Sequence, residues 1–211
     1  MTKQLYNPEA FRVEDAGRLA DLVERLRFGT LVSNGTAGPS ASHAPFLLDR
    51  RSGPRGTLLT HLARANGHWS TLDGEAALVI FQTADHYVSP AWYASKRWTG
   101  KVVPTWNYVA VHARGTARTF VDRGRLLALV VQLTEQMEGG RAEPWRVSDA
   151  PADYIDTLLG HIVGVAIEIE QVEGKLKLGQ NRSQSDRDSL AAAIDEERPD
   201  LAKTLKALTA E

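Results

Sequence analysis

The stretch Pro104-Thr105-Trp106-Asn107-Tyr108-Val109-Ala110-Val111-His112-Ala113-Arg114-Gly115-Thr116-Ala117-Arg118-Thr119-Phe120-Val121 decides the fold. It is rich in β-branched and aromatic residues, as a pleated and half-buried segment requires, yet it is long for one strand. Gly115 predicts a bend, or a break into two strands, of the kind found in a barrel wall.

Upstream, Thr30-Leu31-Val32-Ser33 runs into a turn at Asn34-Gly35, and Ser40 to Leu48 resumes an extended reading before a second turn at Arg51-Ser52-Gly53-Pro54. Gly56-Thr57-Leu58-Leu59-Thr60-His61-Leu62 reads as a third strand, and Arg64-Ala65-Asn66-Gly67-His68-Trp69 has room for a helical turn. Glu75 to Thr83, with the unbroken run Ala76-Ala77-Leu78-Val79-Ile80-Phe81, predicts a fully buried strand. Residues 8 to 27 place Phe11, Ala16, Leu19, Leu22, Val23 and Leu26 at helical spacing, in a helix starting near Glu14 or Asp15 and ending at Phe28-Gly29.

Downstream, Asp122 to Met137 predicts a helix stopped by Gly139-Gly140, and a shorter one, Ala152 to Ile162, follows Pro151. Val165 to Val172 alternates Val165, Ile167 and Ile169 with Glu168 and Glu170, a strand with one wet face. Ser183 to Glu211, interrupted at Pro199, reads as two short helices or a frayed tail. Five or six strands between 29 and 121, followed by helices and one late strand, lack the regular alternation of a doubly wound sheet. A small antiparallel barrel with peripheral helices fits, as one main domain over 1–182 with a helical tail over 183–211.

A chain of 211 residues buries a sufficient core without staples. Its 43% hydrophobic and 24% charged residues are those of a folded globular protein. Lys+Arg 25 against Asp+Glu 26 leaves a net charge of −1, so no global field draws the molecule to phosphate backbones or anionic lipid. The absence of cysteine excludes disulfides, thiolate nucleophiles, zinc ribbons and iron–sulfur clusters. MTKQLYNPEAFRVED has no apolar core of a signal peptide, and no run approaches a membrane span, so a cytoplasmic protein is expected. Neither GxGxxG nor a Walker motif is found, and there is no internal repeat.

Thr60-His61-Leu62-Ala63-Arg64-Ala65-Asn66 supplies a hydroxyl, an imidazole, a guanidinium and turn N–H groups within seven residues at the end of a strand. A phosphate dianion wants that set, because a guanidinium pairs with two of its oxygens. A solvated surface arginine is the competing reading. Trp92, Trp98 and Trp106 fall within fifteen positions, as a packed corner or as a flat wall for a planar ligand. No histidine has metal-ligand spacing, and Ser42 and Ser89 lack a nucleophile-elbow pattern. His43 and His112 sit at strand positions.

Taken in order, these segments resemble the PaiB family of FMN-binding negative transcriptional regulators, within the split-barrel flavin proteins. The resemblance is carried by Tyr6-Asn7-Pro8-Glu9-Ala10-Phe11, Ala41-Ser42-His43-Ala44-Pro45 with Asp49, Gly56 through Asn66, Tyr87-Val88-Ser89-Pro90-Ala91-Trp92-Tyr93, Lys101-Val102-Val103-Pro104-Thr105-Trp106-Asn107-Tyr108, Val111 to Gly115, and Gly174-Lys175-Leu176-Lys177-Leu178-Gly179-Gln180-Asn181-Arg182. VPTWNY and KLxQN are its most specific parts. Gly67 stands where the family has Pro, and Gly179 where it has Ser.

The resemblance implies a mainly β, antiparallel split barrel with peripheral helices, a homodimer, and FMN at the subunit interface. It implies that Ser42, His43, Ala44 and Pro45 face the edge of the flavin ring. Thr60, His61, Ala63, Arg64 and Asn66 then hold the phosphate. Trp106, Asn107 and Tyr108, with Lys175, Gln180, Asn181 and Arg182, come from the partner subunit or the barrel mouth. Lys175, Lys177 or Arg182 near the ring raises the flavin's potential.

Two functions follow. One is an FMN-dependent reductase or oxidase that takes hydride from NAD(P)H. The other is a repressor with FMN as ligand or sensor, although DNA contact has no helix-turn-helix and only a local basic face, drawn from Lys96, Arg97, Lys101, Arg114 and Arg118, to rest on. Haem binding or degradation, with His43, His61 or His161 as axial ligand, is the alternative.

Overall fold

The computed structural model describes residues 5–35 and 38–209. The ends of the expected 1–182 and 183–211 segments, residues 1–4 and 210–211, therefore lie outside the described residues. Among the described residues eight strands make one sheet: β1 Arg12–Val13, β2 Phe28–Gly35, β3 Gly38–Pro45, β4 Leu47–Asp49, β5 Thr57–Ala63, β6 Ala76–Val88, β7 Thr105–Phe120 and β8 Ile162–Lys177. Their order is β3-β2-β6-β7-β8-β5-β4, with β1 beside β8. The β1–β8, β2–β3, β2–β6, β4–β5 and β5–β8 pairs are all antiparallel. Among the described residues six α-helices accompany them: α1 Ala16–Leu26, α2 Lys96–Thr99, α3 Arg123–Glu138, α4 Ala152–Leu159, α5 Gln184–Glu197 and α6 Pro199–Thr209. Among the described residues no helix is long and apolar enough to cross a membrane.

The chain divides into two compact units. One comprises Met1–Arg25, Gln82–Val111 and Glu173–Glu211, the other Leu26–Phe81 and His112–Val172.

The second unit holds the β2–β3 hairpin, β4, β5 and the 162–172 half of β8. Alternation sends Leu31 of β2, Leu58 and Leu62 of β5, and Val163, Val165 and Ile167 of β8 inward, all of them buried. Phe46 and Phe81 meet edge to face with centroids 5.5 Å apart. β3 stands at one end of the strand order and β5 near the other, yet the Thr60 hydroxyl of β5 donates to the Pro45 carbonyl of β3. Within this unit the β3 edge thus reaches β5, as in a curled barrel wall and not in an open sheet.

In the first unit α5 and α6 form a helical pair whose Leu190, Ile194, Leu201 and Ala202 pack with Val88 and Tyr93. The tail is thus two helices divided at Pro199, as its sequence suggests. Asp186 fastens it, since its carboxylate accepts from the Ser95 N–H and hydroxyl, both at 2.8 Å. The Ser95 N–H in particular holds the Asp186 carboxyl below its usual range.

Four expectations change in the structure. Of the two readings of 104–121 the single strand stands and the break does not: β7 has 16 residues, and Gly115 serves close approach, since a Cβ there would lie 1.8 Å from the Glu168 carbonyl oxygen. β8 runs from Ile162 to Lys177, so the Lys175-Leu176-Lys177 segment is strand. The run from Ala76 is not buried on both faces: Ala77, Val79 and Phe81 are buried, while Leu78 and Ile80 remain half-exposed. The hairpin ladder continues through Asn34↔Pro39 and Gly35↔Gly38, so Asn34-Gly35 belongs to the paired strand and not to a turn.

Candidate functional site

The expected site residues fall into two groups, one in each unit. In the second unit, β5 delivers Thr60, His61 and Ala63, and the chain leaves the strand through Arg64 to Asn66. The corner is fixed by backbone bonds: Arg64 N–H donates to the His161 carbonyl and Asn66 N–H to that of Ala63. The Trp69 indole N–H donates to the Arg64 carbonyl at 2.9 Å.

Arg64 is exposed, and Nε and Nη2 donate to the carbonyls of Gly160 and Ile162 at 3.0 and 3.4 Å. These bonds hold one edge of the guanidinium and leave the Nη1/Nη2 fork, the part that pairs two oxygens of an anion, open. No carboxylate among the described residues neutralises it. His61 is half-buried, and its Nδ1 is buried without a hydrogen-bond partner. Burial pushes this imidazole below its ordinary value, toward the neutral form. A buried ring nitrogen lacking a partner is uncommon, and a bound polar group is one way to satisfy it.

Thr60 is spent on Pro45, so it shapes the corner. Asn66 is likewise engaged: its Oδ1 accepts from the His68 N–H and its Nδ2 donates to Ser42 Oγ. That closes the start of the short 3-10 turn Gly67–Thr71, and one Asn66 N–H remains for a ligand. On β3 the four expected residues do not share a face. Ser42 and Ala44 are buried, while His43 and Pro45 are exposed, with His43 Nδ1 and Thr30 Oγ1 3.0 Å apart.

His68 was not anticipated as a site residue, although it is the hub of this region. It is buried with Nε2 at 2.9 Å from Ser33 Oγ and Nδ1 at 2.9 Å from Ser42 Oγ. The available signal was two serines at inward positions of apolar strands, each needing a polar partner.

In the first unit the second group is aromatic and cationic. Lys175 is buried, its Nζ donating to the Tyr6 carbonyl at 2.9 Å and lying 5.2 and 5.3 Å from the rings of Tyr6 and Tyr108. Two ring faces and one carbonyl take the place of a carboxylate. Lys177 donates to Thr105 Oγ1 at 2.6 Å and to the Trp106 carbonyl. Trp106, 56% exposed, meets the half-exposed Tyr87 edge to face at 6.2 Å, which leaves apolar ring surface open to a ligand. Asn107 is buried.

Gln180 folds back on its own backbone, bonding Leu178 N and Leu176 O. Arg182 stacks on Tyr93 at 4.7 Å and faces Asp186, so both already have structural partners. Asn181 is exposed.

An open guanidinium fork, a neutral imidazole with an unpartnered nitrogen and a remaining amide N–H fit the phosphate of a mononucleotide. Residues 5–171 match the family model described as "Putative FMN-binding domain". The chain is 29% identical over 205 residues to the protease synthase and sporulation protein PAI 2 of Bacillus subtilis, covering 97% of this chain and 96% of that one. The flavocytochrome Anf3 from Azotobacter vinelandii superposes with a TM-score of 0.60 at 13% identity, over 83% of this chain and 74% of its own. The FAD and heme binding protein from Mycobacterium smegmatis does so with 0.59 at 20% identity, over 86% and 79%. At these identities the structural likeness is one of fold, the split barrel of flavin-binding proteins. The chain therefore belongs to the FMN-binding split-barrel family of the PaiB type, and its cofactor is FMN.

Proposed function

We propose that the protein is a cytoplasmic, homodimeric flavin-dependent redox protein, with 1–182 as its flavin domain and 183–211 as a helical tail. The observation that carries the site is the Arg64 fork, held from behind by two carbonyls and open in front. In this reading Arg64 and His61 take the phosphate, and Asn66 adds one N–H. His43, Pro45 and backbone groups of β3 border the ring. Trp106, Asn107, Tyr108, Lys175, Gln180, Asn181 and Arg182 come from the partner subunit or the barrel mouth, Trp106 with Tyr87 supplying an apolar wall and Lys175 a positive potential. When bound, FMN would supply two-electron redox chemistry, with a nicotinamide as hydride donor and a small molecule as acceptor. The protein's part is to bind, orient and limit access.

The test is anaerobic mixing of the FMN-loaded protein with NADH or NADPH while the flavin absorbance is followed. Bleaching with either donor supports the redox reading. Retained absorbance with both, FMN remaining bound, overturns it in favour of FMN as a ligand.

A repressor that responds to FMN is the second reading, and one observation favours it. Lys96, Arg97 and Lys101 are all exposed within six residues, around Trp98, which is also exposed. Of the other basic residues considered, Arg118 lies 3.9 Å from Asp73 and Arg114 is half-buried. Gel shift with the upstream region of the protein's own operon, across salt, tests it: binding lost well below physiological salt is merely electrostatic.

A further inference from the structure

The inner face of the β2–β3 hairpin should be apolar, and Leu31 and Ala44 are. Ser33 and Ser42 interrupt it, both buried. Ser42 pairs with Leu31 across the hairpin, and Ser33 follows Leu31 by two, so the serines occupy diagonal positions on one face. Two buried hydroxyls there are costly unless bonded. One imidazole satisfies both: His68 Nε2 with Ser33 and Nδ1 with Ser42.

The same imidazole belongs to a closed ring of hydrogen bonds. His68 N–H donates to Asn66 Oδ1, Asn66 Nδ2 donates to Ser42 Oγ, and Ser42 Oγ returns to His68 Nδ1. With its oxygen taken by a backbone N–H, the Asn66 amide has one orientation, and its NH2 group faces Ser42. Ser42 Oγ, receiving that N–H, keeps a hydrogen and a lone pair, so it and Ser33 Oγ can serve the two nitrogens of a neutral His68 ring in either tautomer. The ring ties the end of the 60–66 corner to the hairpin.

We infer that His68 is a positioning residue for the flavin phosphate: through Ser33, Ser42 and Asn66 it anchors the corner that presents Arg64 and His61. This rests on the assignment of that corner to the FMN phosphate. Preorganisation of this kind acts on whatever touches the corner and leaves the rest of the ligand's contacts alone. Burial lowers the His68 proton affinity, in keeping with a neutral, bridging imidazole.

The experiment compares binding of FMN and of riboflavin, which lacks the phosphate, by flavin fluorescence quenching, alongside thermal unfolding. His68→Ala is expected to weaken FMN binding about tenfold while riboflavin binding changes little, so that the preference for FMN falls by the same factor. His68→Gln, which keeps a donor and an acceptor, recovers part of it. Ser33→Ala, which touches no corner residue directly, moves the preference in the same direction by less and decides the matter where His68→Ala does not fold. An unchanged FMN-to-riboflavin ratio in folded His68→Ala, or in Ser33→Ala where that variant decides, overturns the inference. A wild-type protein that binds FMN no better than riboflavin overturns the phosphate assignment itself.

Discussion

The hydroxyl of Thr60 donates to the carbonyl of Pro45 at 2.6 Å, joining β5 to the end of β3. Thr60 is fully buried, so this bond has no solvent substitute. Thr60→Val keeps the shape and leaves the Pro45 carbonyl without its donor. The expected loss is about 1–2 kcal/mol in denaturant unfolding, largely restored by Thr60→Ser. Equal stability of the valine variant would show that the contact contributes nothing to closure.

Arg64→Ala removes the open fork while leaving the strand untouched. FMN affinity is expected to fall at least about tenfold, with riboflavin affinity and oligomeric state unchanged. Arg64→Lys should recover little, because a point charge cannot both hold two carbonyls and present a fork. Titration calorimetry with the two flavins reads the difference.

Gly115→Ala places a methyl group 1.8 Å from the Glu168 carbonyl oxygen, where only backbone movement can make room. A loss of about 3 kcal/mol or failure to fold is expected. Gly124→Ala, inside α3 and clear of backbone, is the contrasting case and should be neutral or stabilising by up to about 1 kcal/mol. Chemical denaturation of the pair checks both.

Burial holds His61, His68 and His86 below the ordinary histidine value of 6.5. The unfolded chain therefore takes up protons on these groups before the folded one does, and stability falls as pH drops below about 6.5. Their contribution is fully present at neutral pH. Unfolding free energies measured from pH 8 to pH 5 should decline steadily over the lower half of that range. A flat profile there would contradict the assignment of neutral buried imidazoles.

Much of this architecture was legible in the chain. The segment from Gly56 to Leu62 located β5, the alternation from Val165 to Val172 located β8, Pro199 divided the tail, and Asp122 capped α3 where the helical spacing begins. The exit from β5 at Arg64 was visible as a concentration of anion-binding groups. What the pattern concealed was relational. Gly115 looks like a strand breaker, because only the approach of Glu168 explains it. Gln180 and Arg182 have the chemistry of ligands, yet the fold engages them with Leu176, Leu178, Tyr93 and Asp186. His68 gave no local sign, since its partners lie 35 and 26 residues away.

The ammonium of Lys175 also clasps the carbonyl of Tyr6, and Asn7 adds a second tie through its amide to Gly174. With the Leu5 N–H donating to the Glu173 carboxylate, the leading segment is thereby stapled to the end of β8 by three bonds. Proteolytic clipping after Asn7 would leave a cation stripped of its oxygen and of one of its two rings. An affinity handle on this protein belongs at the far terminus, and a trimmed preparation should differ from the intact one in how it treats anions.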